Sequence, residues 1–343
     1  MSFVLGNSSY RKPFINRAIL NTSLIAGAVF LAGINPAVHA KPKSIVAVEP
    51  LVCDVVSAIA LPSMPVTCLI DRQKDVHDVK ISPRQAQVLS NASQVFTLGQ
   101  EMTPAMKKWL DNPITIVVGI SAIEIDDKHY DHSAAKHGDH DEHDHGRLDP
   151  HIWHDPHNII KMANVITQNI KKSILFFDRE NRKVLSERSK SVKSLLEDLD
   201  QWNQKQVATI PSNQRTIVSK HKSMEYYGDA FGLKTISLLD VLGHSSSLRP
   251  QTISAVIAEL REANVKVFFA EQTPASKLLK NLSRQTFTPI ASQQIYVDGL
   301  MPTGNTISVA VHNTCTIVNS LDGLCNKNAG NQLEKRWDLL TKR

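Results

Sequence analysis

The chain has 343 residues, 42% hydrophobic content and a formal net charge of +6. That is length enough for two domains and an ordinary globular composition. Setting aside Arg11, Lys12 and Arg17 of the N-terminal segment lowers the charge from +6 to +3, too weak a bias to argue for a nucleic-acid partner. No arginine-rich helix or basic run interleaved with aromatics occurs either.

Residues 1–40 read as a secretory signal peptide. The three cations form the charged start, Ala18 to Gly33 is a short apolar run, and Val38-His39-Ala40 supplies small residues at the −3 and −1 positions, so cleavage is expected near Ala40. The alternative, a membrane anchor, is disfavoured because the run falls short of the ~20 apolar residues of a spanning helix. It also carries Asn21, Thr22 and Ser23. No cysteine closes the run, so a lipid anchor is not expected. The mature chain would be soluble and periplasmic.

From there strands and helices alternate. Ser44–Val48 reads as a strand, and Pro50 opens a helix to about Leu61. Val66–Ile70 is the next strand. Ser82 caps a helix from Pro83 to about Ala92. Strands at Gln94–Leu98 and Ile114–Val118 flank a helix from Pro104 to Leu110. After a histidine-rich stretch, helices are expected over Pro156–Phe177 and about Asp178–Thr209. The second has Leu185, Val192, Leu195, Leu196, Leu199 and Trp202 on one face. Alternation resumes with strands at Thr216–Ser219, Lys234–Leu238, Val267–Ala270 and Gln294–Val297, separated by helices near Met224–Phe231, Pro250–Ala263, Ser276–Arg284 and Thr306–Leu321. The pattern predicts an α/β fold with two parallel-sheet lobes: 41–177, a linking helix 178–209 as a rigid strut, and 210–325. The tail 326–343 is polar and basic, with Leu333, Trp337 and Leu340 at helical spacing. It is expected to dock weakly or stay mobile.

Four cysteines, Cys53, Cys68, Cys315 and Cys325, allow three pairings. Export favours disulfides, and the local pairs Cys53–Cys68 and Cys315–Cys325 are preferred because each stays within one lobe. Free buried thiols are the rival. A cysteine zinc site is not expected, since no C-x-x-C spacing occurs.

The chemistry is carried by histidine. Of fourteen histidines, nine lie between His129 and His157. Within a low-complexity loop, 126–148, His129, His132, His137, His140, His143 and His145 alternate with carboxylates and read as loose metal ligands. The segment DPHIWHDPH that follows reads as ordered structure opening a helix. Neutral imidazole is the commonest ligand for zinc and its neighbours. Open α/β sheets place ligands at the carboxyl ends of strands, and four polar residues stand there: His77, His151, His221 and Asp298. Three imidazoles and one carboxylate complete a four-coordinate zinc set. Taken singly, each is as readily a solvated loop residue, or for Asp298 a turn former.

Several longer segments raise that weight. The His77 loop followed by SPRQAQVLSNASQVF, then DPHIW, SKHKSMEYYGDAFGL, FFAEQ and YVDGL resemble the metal-specific solute-binding proteins of ABC importers. This is the cluster A family of bacterial zinc and manganese carriers, with two lobes joined by a rigid helix. The resemblance covers nearly all the mature chain. It implies metal ligands at His77, His151, His221 and Asp298. It also implies a zinc cargo rather than manganese, because histidine and not glutamate stands at the third position and because a His-rich insertion precedes DPHIW. A permease and a separate ATPase are the implied partners, since the chain has no phosphate-binding loop. The protein would be a monomer and not an enzyme. Departures from the pattern are Leu248-Arg249-Pro250 and Val76, and they leave the fourth position to Asp298 or water. Glu271 of FFAEQ reads as a support for a metal ligand or as a helix-starting residue, with a structural role preferred. His154 and His157 could chelate a second ion, but His154 reads more simply as a support for the site or as solvent-facing. The rivals are a manganese or iron carrier, an adhesin on this scaffold, a zinc buffer, and a secreted zinc hydrolase using Glu271 as base. The last lacks an H-E-x-x-H motif.

Overall fold

The first lobe is organised by short, buried, β-branched strands that alternate with helices. The computed structural model describes residues 44–72, 74–123, 149–242 and 250–342. The leader, the histidine tract with its six histidines, and Leu248-Arg249 lie outside the described residues. Strands β1 (Ile45–Ala47), β2 (Val66–Cys68), β3 (Gln94–Thr97) and β4 (Thr115–Val117) form an all-parallel sheet in the order β2-β1-β3-β4. The order reverses at β1, so the crevice for a ligand opens beyond the carboxyl ends of β1 and its neighbours. Glu49, buried just after β1, accepts hydrogen bonds from the Thr97 and Thr103 hydroxyls, both at 2.8 Å, and from Leu98 N at 3.0 Å. This ties the ends of β1 and β3 together. Helix α1 (Pro50–Ile59) starts on a proline at a position where no backbone donor is needed. Helix α2 (Pro83–Ser90) carries the expected Ser82 cap, completed by Gln85 as a reciprocal capping box.

Helix α3 (Pro156–Ser173) ends four residues earlier than the sequence pattern indicated. Ile174 is buried, whereas Leu175, Phe176 and Phe177 are exposed in the turn. Arg182 takes the carbonyls of Ile174 and Leu175, and Asp178 caps the next helix. Apolar residues at helical spacing therefore overran the true end. Helix α4 (Arg179–Val207) has 29 residues, about 44 Å of helix. All six residues of its expected face are buried. The expected helix at 104–110 is instead a 3₁₀ segment, Pro104–Trp109.

The second lobe holds β5 (Thr216–Ser219) and β6 (Lys234–Ser237), a parallel pair, with α5 (Glu225–Phe231), α6 (Leu238–Leu242), α7 (Pro250–Glu262), α8 (Lys277–Thr286) and α9 (Thr306–Ser320). The expected strands Val267–Ala270 and Gln294–Val297 do not form regular ladders. Their pairing reduces to a Phe268–Ile290 bridge and single bonds such as Phe269 N to Val218 O and Ile295 N to Ala270 O. Val267, Phe268, Phe269, Ile295 and Val297 are all buried. The apolar pattern reported burial correctly, but burial alone does not dictate a ladder.

The tail is the clearest correction. It forms α10 (Lys327–Thr341), which packs on α1, α4 and α9, with Trp337 fully buried and Leu333 nearly so. Arg188 of α4 donates to the carbonyls of Ser57 and Ile59 at the end of α1 and to Leu340 of α10. Asp54 of α1 accepts from the backbone and hydroxyl of Thr306 at the start of α9, at 2.7 and 2.6 Å. These contacts brace the N-terminal sheet against helices from the far end of the chain. Disulfides join Cys53 to Cys68 and Cys315 to Cys325. Among the described residues no helix is long and apolar enough to cross a membrane.

Candidate metal centre

The four residues nominated from strand ends meet at one point. His77 lies in the loop after β2, where Asp75 Oδ1 accepts from its backbone N–H at 2.9 Å. His151 sits in the turn before a short 3₁₀ segment, Ile152–His154, that leads into α3. Its neighbour Asp149 accepts from His151 N at 2.9 Å and from Nδ1 at 2.7 Å. His221 follows β5, where Glu271 accepts from Lys220 N at 2.7 Å and from His221 Nδ1 at 2.8 Å. Asp298 ends the irregular segment Ile295–Val297 and precedes Gly299, whose φ of 150° is open to glycine at no steric cost.

Asp298 Oδ1 lies 3.4 Å from His77 Nε2, 3.2 Å from His151 Nε2 and 3.4 Å from His221 Nε2, and the last two nitrogens are 3.3 Å apart. Donor atoms at tetrahedral corners around a zinc-sized ion, with bonds of ~2.0–2.2 Å, stand about 3.3–3.6 Å from one another. The spacing fits one ion. The tautomers fit as well: with Nδ1 protons committed to Asp149 and Glu271, His151 and His221 turn Nε2 lone pairs inward. His77 Nδ1 is buried with no hydrogen-bond partner among the described residues, so no carboxylate there fixes its tautomer as Asp149 and Glu271 fix those of the other two.

Charge in the cluster is redistributed without metal. Burial alone would raise the Asp298 carboxyl, yet hydrogen bonds from His151, His221 and His77 hold it far below the usual carboxylate range. Burial alone would lower His221, but Asp298 and Glu271 override it and push the imidazole up to about 10. His151 is raised in the same way: burial is outweighed by Asp149 and then Asp298. His154 behaves differently. Burial, reinforced by the charge on His151, lowers it to about 4, and its Nε2 meets Val297 O at 3.1 Å. It is a neutral buried group beside Asp298, which fits the supporting role among its three sequence readings and not the solvent-facing one.

Sequence reasoning missed one group and left another undecided. Asp149 was in view within DPHIW but unassigned; its signal was the Asp-Pro-His spacing, which lets one carboxylate reach both backbone and ring of a histidine two residues on. Glu271 stood open between a support for a ligand and a helix-starting residue, with a structural role preferred. It orients His221 across fifty residues of sequence, a contact no local spacing could reveal.

Comparison with known proteins places this geometry in context. Among solved structures, a periplasmic zinc binding protein, TroA, from Treponema pallidum aligns with TM-score 0.65 at 16% identity, covering 81% of this chain and 99% of its own. The structure of Fe(III)-bound YtgA from Chlamydia trachomatis aligns with TM-score 0.66 at 20% identity, covering 82% and 99%. Among sequence relatives, a manganese-binding lipoprotein, MntA, of Halalkalibacterium halodurans is 25% identical over 272 residues, 78% of this chain and 85% of its own. An iron-binding protein, YfeA, of Yersinia pestis is 24% identical over 298 residues, 84% and 89%. The fold is therefore that of bacterial metal-binding solute receptors. A family model, zinc-uptake complex component A, periplasmic (ZnuA), matches residues 45–320, and the chain belongs to that family. It is an extracytoplasmic metal-binding component of an ABC importer, not an enzyme.

Proposed function

We propose that this protein captures Zn²⁺ through His77, His151, His221 and Asp298 and delivers it to an ABC permease driven by a separate ATPase subunit. The observation that carries the reading is the donor set: three imidazole Nε2 atoms and one carboxylate oxygen, with neighbours 3.2–3.4 Å apart. Imidazole suits zinc, whereas manganese favours sets richer in carboxylate and water. On this reading the protein is exported by a leader cleaved near Ala40 and works as a soluble periplasmic monomer. The histidines at 129, 132, 137, 140, 143 and 145, alternating with carboxylates in low-complexity sequence, hold further zinc loosely. The domain division is 41–177, 178–209 and 210–325, with the lobes shifting little on loading because α1, α4, α9 and α10 brace them.

The second reading, a manganese or iron carrier, is favoured by the names of several relatives. Metal analysis of protein purified without added metal, with competition titration of wild type and His221→Glu, separates the two. Zinc retained by wild type and weakened in the variant supports a zinc carrier. Manganese or iron retention, or equal zinc affinity in both proteins, overturns it.

A further inference from the structure

The chain repeats one motif at the mouth of α3. Asp149-Pro150-His151 is followed by Asp155-Pro156-His157. In both copies the aspartate Oδ1 accepts from the histidine backbone N–H, at 2.9 and 2.8 Å, and lies against its Nδ1, at 2.7 and 3.2 Å. In the first copy the ring continues into the cleft. In the second, Nδ1 also faces Asp200 Oδ1 of α4 at 3.6 Å.

Asp200 is the unusual member. Its side chain is only 8% exposed. Oδ2 accepts from the Gln204 amide at 2.8 Å, and Oδ1 faces His157 Nδ1 at 3.6 Å. A carboxylate side chain this buried costs free energy unless positive charge lies close to it. The ligand atoms of Asp155, His157 and Asp200 all lie within 4.8 Å of one another. The separations of 3.2 and 3.6 Å lie close to the about 3.3–3.6 Å edges of a coordination tetrahedron with zinc-like bonds.

We propose that Asp155, His157 and Asp200 form a second divalent-cation site, distinct from the cleft, for a first-row ion whose shell is completed by water. One nitrogen and two oxygens make a harder set than the cleft's, so this site discriminates less between zinc and manganese. It is also weaker. It offers three protein ligands, His157 is 59% exposed, and the N-terminal end of the α3 dipole opposes a cation. An ion there would staple the first turn of α3 to α4, within three residues of His154, which supports Val297 beside Asp298.

The rival is a plain His157 ion pair. Carbethoxylation of individual histidines in the full chain, quantified by peptide mass spectrometry with and without added zinc or manganese, separates them. The expected result is that His157 reacts severalfold more slowly with either ion, at concentrations above those that protect His221. Asp200→Asn abolishes protection of His157 and leaves that of His221 intact. Asp155→Ser keeps a helix cap but removes the carboxylate, and gives the same loss should the Asp200 variant fold poorly. Equal reactivity of His157 with and without both ions, or undiminished protection in both variants, overturns the site. His221 protection reports the cleft separately, so failure here leaves the zinc-carrier reading untouched.

Discussion

Glu271→Gln isolates the part of the cleft that is set by orientation. Glu271 supplies no donor atom to the cleft cluster. It accepts from His221 Nδ1 at 2.8 Å, from Lys220 N at 2.7 Å and from His221 N at 3.3 Å. Glutamine has the same shape but one acceptor oxygen. Its amide nitrogen must face either two backbone N–H groups or the imidazole Nδ1–H, so one donor–acceptor contact becomes donor–donor. A hydrogen bond to a charged group contributes about 1.5–3 kcal/mol. The mispaired backbone N–H costs the metal-free and loaded forms alike, so only the share that steers His221 Nε2 reaches the affinity. Loss of such outer contacts costs about 10–100-fold in metal affinity, or about 1.4–2.8 kcal/mol. Competition against a chromophoric chelator at fixed pH measures it, and thermal unfolding of the metal-free protein separates the stability share. Zinc affinity within about twofold of wild type, a difference of ~0.4 kcal/mol, would refute the reasoning and reduce Glu271 to a loop brace.

Zinc affinity is expected to rise with pH. Burial notwithstanding, Asp298 and Glu271 keep the His221 proton on until about 10, so loading near neutrality displaces a proton and affinity climbs about tenfold per pH unit per proton released. Calorimetry in buffers of different ionisation enthalpy counts the proton, and none released would contradict the assignment. The same raised value favours the folded metal-free protein below the unfolded histidine pKa of ~6.5. That contribution is lost as pH climbs through about 10, which urea titrations of metal-free protein at several pH values detect. Replacing Cys53 and Cys68 with serine opens a loop of sequence separation 15 and should cost about 3 kcal/mol by the chain-entropy model; an unchanged urea midpoint would deny the bridge. Trp337→Ala empties a fully buried position and should cost about 3–5 kcal/mol. A loss below ~1 kcal/mol in denaturant unfolding would mean α10 is peripheral to the core.

Legibility followed the range of the interactions. Ser82 and its capping box, Pro50 opening α1 and the apolar face of α4 were readable because each depends on neighbours within a few residues. The ends of α3, set by Arg182 reaching back to two carbonyls, and the missing ladders at 267–270 and 294–297 were not, since apolar spacing encodes burial without naming the partner. The tail was misjudged for the same reason. Leu333 and Trp337 showed a helical face, but only the surface formed by α1, α4 and α9 gives that face something to cover.

What the sequence determined by itself was the inventory: donor types, their order along the chain, a preference for the local cysteine pairs and the alternation that yields parallel sheets. Tertiary structure decided which donors converge on one point, which ring nitrogen faces inward, and that Asp149, Glu271 and Asp200 belong to the story. Coordination requires placement to a few tenths of an ångström among residues up to 221 positions apart, as for His77 and Asp298, and only the packed lobes fix distances on that scale.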